Sequence, residues 1–215
     1  LSSLGEIWII ALRLRRFPNT KKTMAKLYFN YSSMNAGKST VLLQAAYNYE
    51  ERGMTTRLLT AAIDDRAGEG VIASRIGLKA QADIFCSRTD LHAHIGTIAK
   101  QSPLHAVFVD EAQFLTEEQV WQLARVADGL KIPVMCFGLR TDFQGKLFPG
   151  SATLLALADS LREIKTICWC GKKATMVARL DSQGNILEEG DQVVIGGEET
   201  YVSLCRKHWA ARELE

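Results

Sequence analysis

No apolar run in this 215-residue sequence is long enough to cross a bilayer. Residues 7–12, "IWIIAL" at their core, fall far short of the roughly 20 apolar residues a spanning helix needs. Arg13, Arg15 and Arg16 follow that run, whereas a secretory signal carries its positive charge in front. Charge of one sign is also missing: 26 Lys and Arg stand against 24 Asp and Glu, with no long basic block. Composition therefore argues against a nucleic-acid partner, and the short run against a membrane one. Internal repeats and low-complexity tracts are absent. Five cysteines cannot all pair, so without an export signal a disulfide framework is not expected, and the reducing cytoplasm is the expected compartment. What remains is the composition of an ordinary globular protein, 47% hydrophobic and 23% charged, long enough to bury one core and carry a small appendage.

The sequence begins with Leu, and Met24 stands directly before the first clear strand pattern. Residues 1–23 are expected to be an extension outside the fold. From there apolar stretches of strand length alternate with helical ones. Strands are expected over residues 26–31, 55–63, 105–110 and 132–139, and helices after residue 37, over 116–128 and over 151–161. Thr116 and Gln119 have capping-box spacing. Gly53 is a plausible helix stop, and Gly184–Asn185 a hairpin turn. The stretch "HAVFVD" is nearly all apolar, as a strand buried on both faces should be. Strands alternating with helices imply a parallel sheet with helices on its faces, and ligands gather at the carboxyl ends of such strands.

Three loops fall at such ends. The first, "YSSMNAGKST" (residues 31–40), ends like a phosphate-binding G-x-x-x-x-G-K-[ST] loop, with Ser32 at the first glycine position. The essential glycine is Gly37, where backbone crowds phosphate. The candidate ATP contacts are Ser32, Ser33, Met34, Asn35, Ala36, Gly37, Lys38, Ser39 and Thr40, with Lys38 reaching the β- and γ-phosphates and the Ser39 hydroxyl holding Mg²⁺. The second is "VFVDEAQF". Asp110 at a strand end suits the Mg²⁺ shell, Glu111 beside it suits a general base, and Ala112 and Gln113 complete the candidate ATP contacts. The third follows Leu139. These features point to NTP-dependent phosphate chemistry on a P-loop NTPase-like α/β domain, expected over residues 24–166. Transfer and hydrolysis both remain open on this ground.

After about Thr166 the texture changes to short strands, glycines and cysteines, expected to form a second, smaller module over residues 167–215. "CWC" (Cys168, Cys170) and "CRKH" (Cys205, His208) offer three thiolates and an imidazole, the donor set of a structural Zn²⁺ site. Metal would stand in for a core that so small a module cannot build. Cys136 reads as core, and His92, His94 and His105 as surface or packing residues.

Taken together, "MNAGKST", "DDR", "VDEAQF", "GLRTDFQGKLF", "CWCGKKA" and "VVIGG" before "YVSLCRKH" resemble the zinc-containing thymidine kinases of bacteria and animal cytosol, the enterobacterial pattern above all. The resemblance covers the chain from Met24 onward. It implies transfer of the ATP γ-phosphate to the 5′-hydroxyl of thymidine, with Glu111 as base. It further implies Phe143 stacked on thymine, with Met34, Phe114, Leu139 and Phe148 lining the pocket and Asp64 and Arg66 near substrate and phosphates. A lid over residues 192–201 would read the base through Val194, Ile195, Gly196 and Gly197, with Tyr201 behind the sugar. A homotetramer and feedback by thymidine triphosphate (dTTP) are implied as well. The competing reading is a zinc-ribbon P-loop ATPase acting on nucleic acid, against which the missing basic stripe weighs.

Overall fold

The computed structural model describes residues 24–64, 67–193 and 201–215. The expectation for residues 1–23 lies outside the described residues, as do those for Arg66, Val194, Ile195, Gly196 and Gly197.

The chain enters through β1 (Leu27–Ser32) and α1 (Lys38–Glu50), then β2 (Thr56–Ala61). A short hairpin follows, β3 (Val71–Ala73) against β4 (Lys79–Gln81), then β5 (Asp83–Phe85) and α2 (Leu91–Gln101). Next come β6 (Ala106–Val109), α3 (Glu117–Arg125), β7 (Val134–Leu139), α4 (Pro149–Leu157) and β8 (Ser160–Glu163). The remainder comprises β9 (Thr166–Ile167), β10 (Lys173–Ala174), β11 (Met176–Arg179), β12 (Tyr201–Leu204) and α5 (Arg206–Ala211).

Six strands form the main sheet in the order β5-β2-β6-β7-β1-β8, and every neighbouring pair is parallel. The expected parallel sheet flanked by helices is thus present. Side-chain alternation along β6 divides the core. Val107 and Val109 face a cluster closed by Ile95 of α2, Leu123 of α3 and Leu154 of α4. Ala106 and Phe108 face the opposite cluster, closed by Leu42 and Leu43 of α1. All four β6 side chains are fully buried, which is why this strand carries no polar residue.

Local chemistry fixes the helix ends. Thr116 accepts from the Gln119 amide at 3.2 Å while the Gln119 side chain accepts from the Thr116 amide at 3.0 Å, completing the capping box that begins α3. Past Arg125 the helix loosens into a five-residue π-type turn, Val126–Leu130. The helix expected over 151–161 ends earlier, at Leu157. Ala158 turns extended, and the Asp159 carboxylate accepts the Leu27 amide at 2.8 Å, tying the chain back to β1. Ser160 and Leu161, expected in that helix, therefore lie in β8 beside Tyr28 and Phe29. The hairpin at Gly184–Asn185 forms as expected, with Leu180 bridged to Ile186. Beyond β8 the strands pair in two small antiparallel ribbons, β9–β10 and β11–β12. Among the described residues no helix is long and apolar enough to cross a membrane.

Candidate active site

The strand order places the ends of β6, β7 and β1 side by side, so the three loops noted in the sequence open onto one place. β1 ends at Ser32, Asn35 and Gly37 take left-handed conformations (φ 60° and 82°), and α1 starts at Lys38. No acidic side chain occupies the first turn of α1, so its free amides and positive end face the loop. The Lys38 ammonium lies 3.5 Å from the Ser33 carbonyl. The Ser33 hydroxyl is buried and has no hydrogen-bond partner among the described residues.

Two carboxylates face this loop. Asp110 accepts the Ser39 hydroxyl at 3.0 Å on one oxygen and the Glu111 amide at 3.0 Å on the other. Burial pushes its carboxyl up to about 7; the Glu111 charge adds to the rise, while Lys38 and the hydrogen bonds oppose it. A cation at this spot would reverse that balance, so the pair Ser39 and Asp110 fits an oxygen-ligated metal such as Mg²⁺. Glu111 sits in the left-handed region at φ 50°, uncommon for a residue with a side chain and a conformation that concentrates at functional sites.

Gln113 steadies Glu111. Its amide nitrogen donates to the Glu111 carboxylate, while its amide oxygen accepts the Leu139 backbone amide at 3.0 Å. The Leu139 amide therefore settles which end of the Gln113 amide points at Glu111. Gly138 leaves the room: a Cβ there would stand 2.9 Å from the Gln113 side-chain oxygen.

A cavity of about 790 Å³ joins these groups. Of the expected residues, Met34, Asn35, Ala36, Gly37, Lys38, Ser39 and Thr40 line it, together with Asp64, Asp110, Glu111, Gln113, Phe114, Leu139, Phe143, Phe148 and Tyr201. Phe114 and Phe148 meet edge to face at 6.0 Å, and Phe143 and Phe148 are largely buried. Ser32, Ser33 and Ala112 are buried beside the cavity without lining it. Sequence reasoning missed Asp142, Val177 and the β3–β4 hairpin as parts of the wall, the hairpin including Ile72, Ser74 and Arg75. Arg75 donates to the Asn35 side chain at 2.6 Å, bringing the hairpin to the phosphate loop. The pairing "DF" within the already singled-out run "GLRTDFQGKLF" was the available signal for Asp142; the hairpin offered none.

Cys168, Cys170, Cys205 and His208 come together as the donor set expected, with one ligand atom from each lying within 4.8 Å of the others. Burial alone would raise the Cys168 thiol; backbone amides of Cys205 and Cys170 and the His208 ring outweigh it and bring it down to about 6. Thiolate character is what a metal requires. Trp169 stacks on the His208 ring at 4.3 Å, and the Glu213 carboxylate lies 3.6 Å from the imidazole nitrogen Nε2, a second-layer contact that orients a ligating histidine. Three thiols and one imidazole in a closed cluster fit Zn²⁺.

Comparison with known proteins converges on one family. A sequence model described as thymidine kinase matches residues 25–209. The thymidine kinase of Ruegeria pomeroyi is 70% identical over 186 residues, covering 86% of this chain and 94% of the relative. That of Agrobacterium fabrum is 65% identical over 186 residues, covering 86% and 96%. An enterobacterial relative, the thymidine kinase of Yersinia pseudotuberculosis, is 59% identical over 186 residues with 86% and 95% covered, so the resemblance is to bacterial thymidine kinases broadly.

Proposed function

The chain belongs to the thymidine kinase family, and from that premise we propose that its cavity transfers the γ-phosphate of ATP to the 5′-hydroxyl of thymidine, giving thymidine monophosphate and ADP. One observation carries the assignment of parts: the phosphate loop, the Asp110–Glu111 pair and the Phe114–Phe148 pair line a single cavity. Charge and apolar surface are thereby divided as a triphosphate and a pyrimidine nucleoside demand.

In this reading Lys38 and the α1 amides hold the phosphates. Ser39 and Asp110 hold Mg²⁺, which supplies charge neutralisation between the phosphates when bound. Glu111 takes the proton from the 5′-hydroxyl as that oxygen attacks phosphorus. Its buried position, with Gln113 fixing one carboxylate oxygen, limits the orientations it can adopt. Phe143 stacks on thymine, with Met34, Phe114, Leu139 and Phe148 around it, Asp64 and Arg66 serving substrate and phosphates, and Tyr201 behind the sugar. Residues 194–197 belong to the proposed lid, which would keep water from competing with the sugar hydroxyl. Zn²⁺ on Cys168, Cys170, Cys205 and His208 would lock β9, β12 and α5 together beside that lid. Residues 24–166 are the proposed catalytic domain and 167–215 the zinc module. A cytoplasmic homotetramer inhibited by dTTP completes the proposal, supported by family membership alone.

The test is ADP release from MgATP with and without thymidine, and with single-stranded DNA instead. Thymidine-dependent ADP matched one for one by thymidine monophosphate is the expected result. ADP formed without thymidine, or stimulated by DNA, would overturn it in favour of the nucleic-acid ATPase.

A further inference from the structure

Arg179, at the end of β11, has no place in the reaction as described so far, yet it is buried to 6% exposure. Its guanidinium carbon lies 4.3 Å from the centroid of the Phe143 ring, and Phe143 lines the cavity. The same guanidinium donates to the Asp191 carbonyl at 2.7 Å. One residue further on, the Gln192 side chain donates to the Asp142 carboxylate at 2.8 Å, and the other Asp142 oxygen accepts the amides of Gln144 and Lys146. Residues 142–143 and 191–192 are thus clasped twice: by Asp142 with Gln192, and by Arg179 lying against Phe143 while holding Asp191. The Phe143 carbonyl also accepts from the Trp209 indole at 3.1 Å, an N–H it shares with the Val177 carbonyl of β11 at 3.0 Å. With the backbone anchored there, the ring is the part left for the guanidinium to set.

Gly190 supports this arrangement. A Cβ there would stand 2.4 Å from a terminal nitrogen of Arg179, and its φ of 133° disfavours any side chain. The chain approaches the guanidinium as closely as only glycine allows. A guanidinium over an aromatic face is attracted to the ring, more so when shielded from water, and its planar fork can cover a ring and donate to a carbonyl at once.

We propose that Arg179 is a positioning residue for nucleoside recognition, setting the Phe143 ring against the base and registering residues 190–192 to that ring. The inference rests on the reading that Phe143 stacks on the nucleoside base. It makes recognition of the pyrimidine, and not of ATP, dependent on Arg179.

Steady-state kinetics on the full chain test it, with thymidine and ATP varied separately for the native protein, Arg179→Met, Arg179→Lys, Gly190→Ala and Arg179→Met/Gly190→Ala. Thymidine dependence of the native protein is established first, so failure there sinks the kinase reading rather than this one. Arg179→Met should raise KM for thymidine about tenfold, a loss in keeping with one buried cation–π contact, while KM for ATP changes less than about twofold. Gly190→Ala, which displaces the guanidinium without deleting it, should give the same split, and the double variant should be no worse than the worse single one. Arg179→Lys keeps the charge but not the fork, so thymidine KM should again rise selectively; it carries the test should Arg179→Met not fold. Equal rises in both KM values, a fall confined to kcat, or a Gly190→Ala variant with native thymidine KM would each overturn the proposal.

Discussion

The Ser39 hydroxyl reaches the Asp110 carboxylate across 3.0 Å, joining the first turn of α1 to the end of β6 over a gap of 71 residues. The contact holds a carboxyl that burial has lifted from 3.8 to about 7. A raised carboxyl takes up a proton on folding between those two values. Its contribution to stability is complete below about pH 4 and is lost as pH rises through about 7. Asp110→Asn, neutral throughout, should therefore raise the unfolding midpoint of the nucleotide- and magnesium-free protein at about pH 8, by a few degrees. The gain should shrink toward nothing by about pH 4. Thermal scans across that range check it; a variant less stable than the native protein at about pH 8 would rule out burial as the governing cause.

Glu111→Gln keeps the shape of the side chain and removes its basicity. Turnover should fall roughly 10²-fold or more while dissociation constants for ATP and thymidine stay near native. Retained turnover would remove Glu111 from its role as base.

Removal of one ligand probes the metal cluster. Cys205→Ser should abolish stoichiometric zinc by metal analysis and lower the unfolding midpoint, because the apolar cluster around it, with Cys168, Ala174, Ala178 and Leu204, is too slight to hold without metal. A chelator should reproduce the shift in the native protein. Unchanged zinc content in the variant would mean that the four side chains are not one site.

Gly150, in the first turn of α4, packs against the turn that carries Gln113. A Cβ there would stand 2.6 Å from the Ala112 carbonyl and 2.7 Å from that of Leu115. Both are backbone atoms with no rotamer to yield, so Gly150→Ala should destabilise the protein by about 2 kcal/mol, in the range of overpacked cores. Because the shift would move Gln113 and Phe148, kcat should fall as well. Urea unfolding and turnover measured on one sample check both, and a native midpoint would show that α4 slides freely.

Much of this was legible because the motifs are local. The phosphate loop, "VFVD" and the Thr116–Gln119 capping box are short strings whose geometry follows from their own spacing. The segment between residues 67 and 85 was not, since β3, β4 and β5 are three residues each and too brief to show a period; α2 was missed although Asp90 stands before it as a cap. The end of α4 was misread because "LLALADSL" continues a helical pattern that the Asp159–Leu27 hydrogen bond overrides from 132 residues away. The Arg179, Asp142 and Gln192 clasp was invisible for the same reason: its partners sit on one strand and two loops, and Asp142 lies 50 residues from Gln192. Roles that depend on residues 194–197 were readable only through the resemblance.

The strand order also has a bearing on the ribosome. β1, which leads into the phosphate loop, pairs only with β7 and β8. Its first residue, Leu27, is tied to Asp159, 132 residues later in synthesis. At about 5–20 residues per second, β1 waits on the order of ten seconds with both edges bare. The aromatic stretch "LYFNYS" is then a sticky, unpaired strand on a nascent chain, and the nucleotide loop takes shape only after nearly the whole sheet has been made.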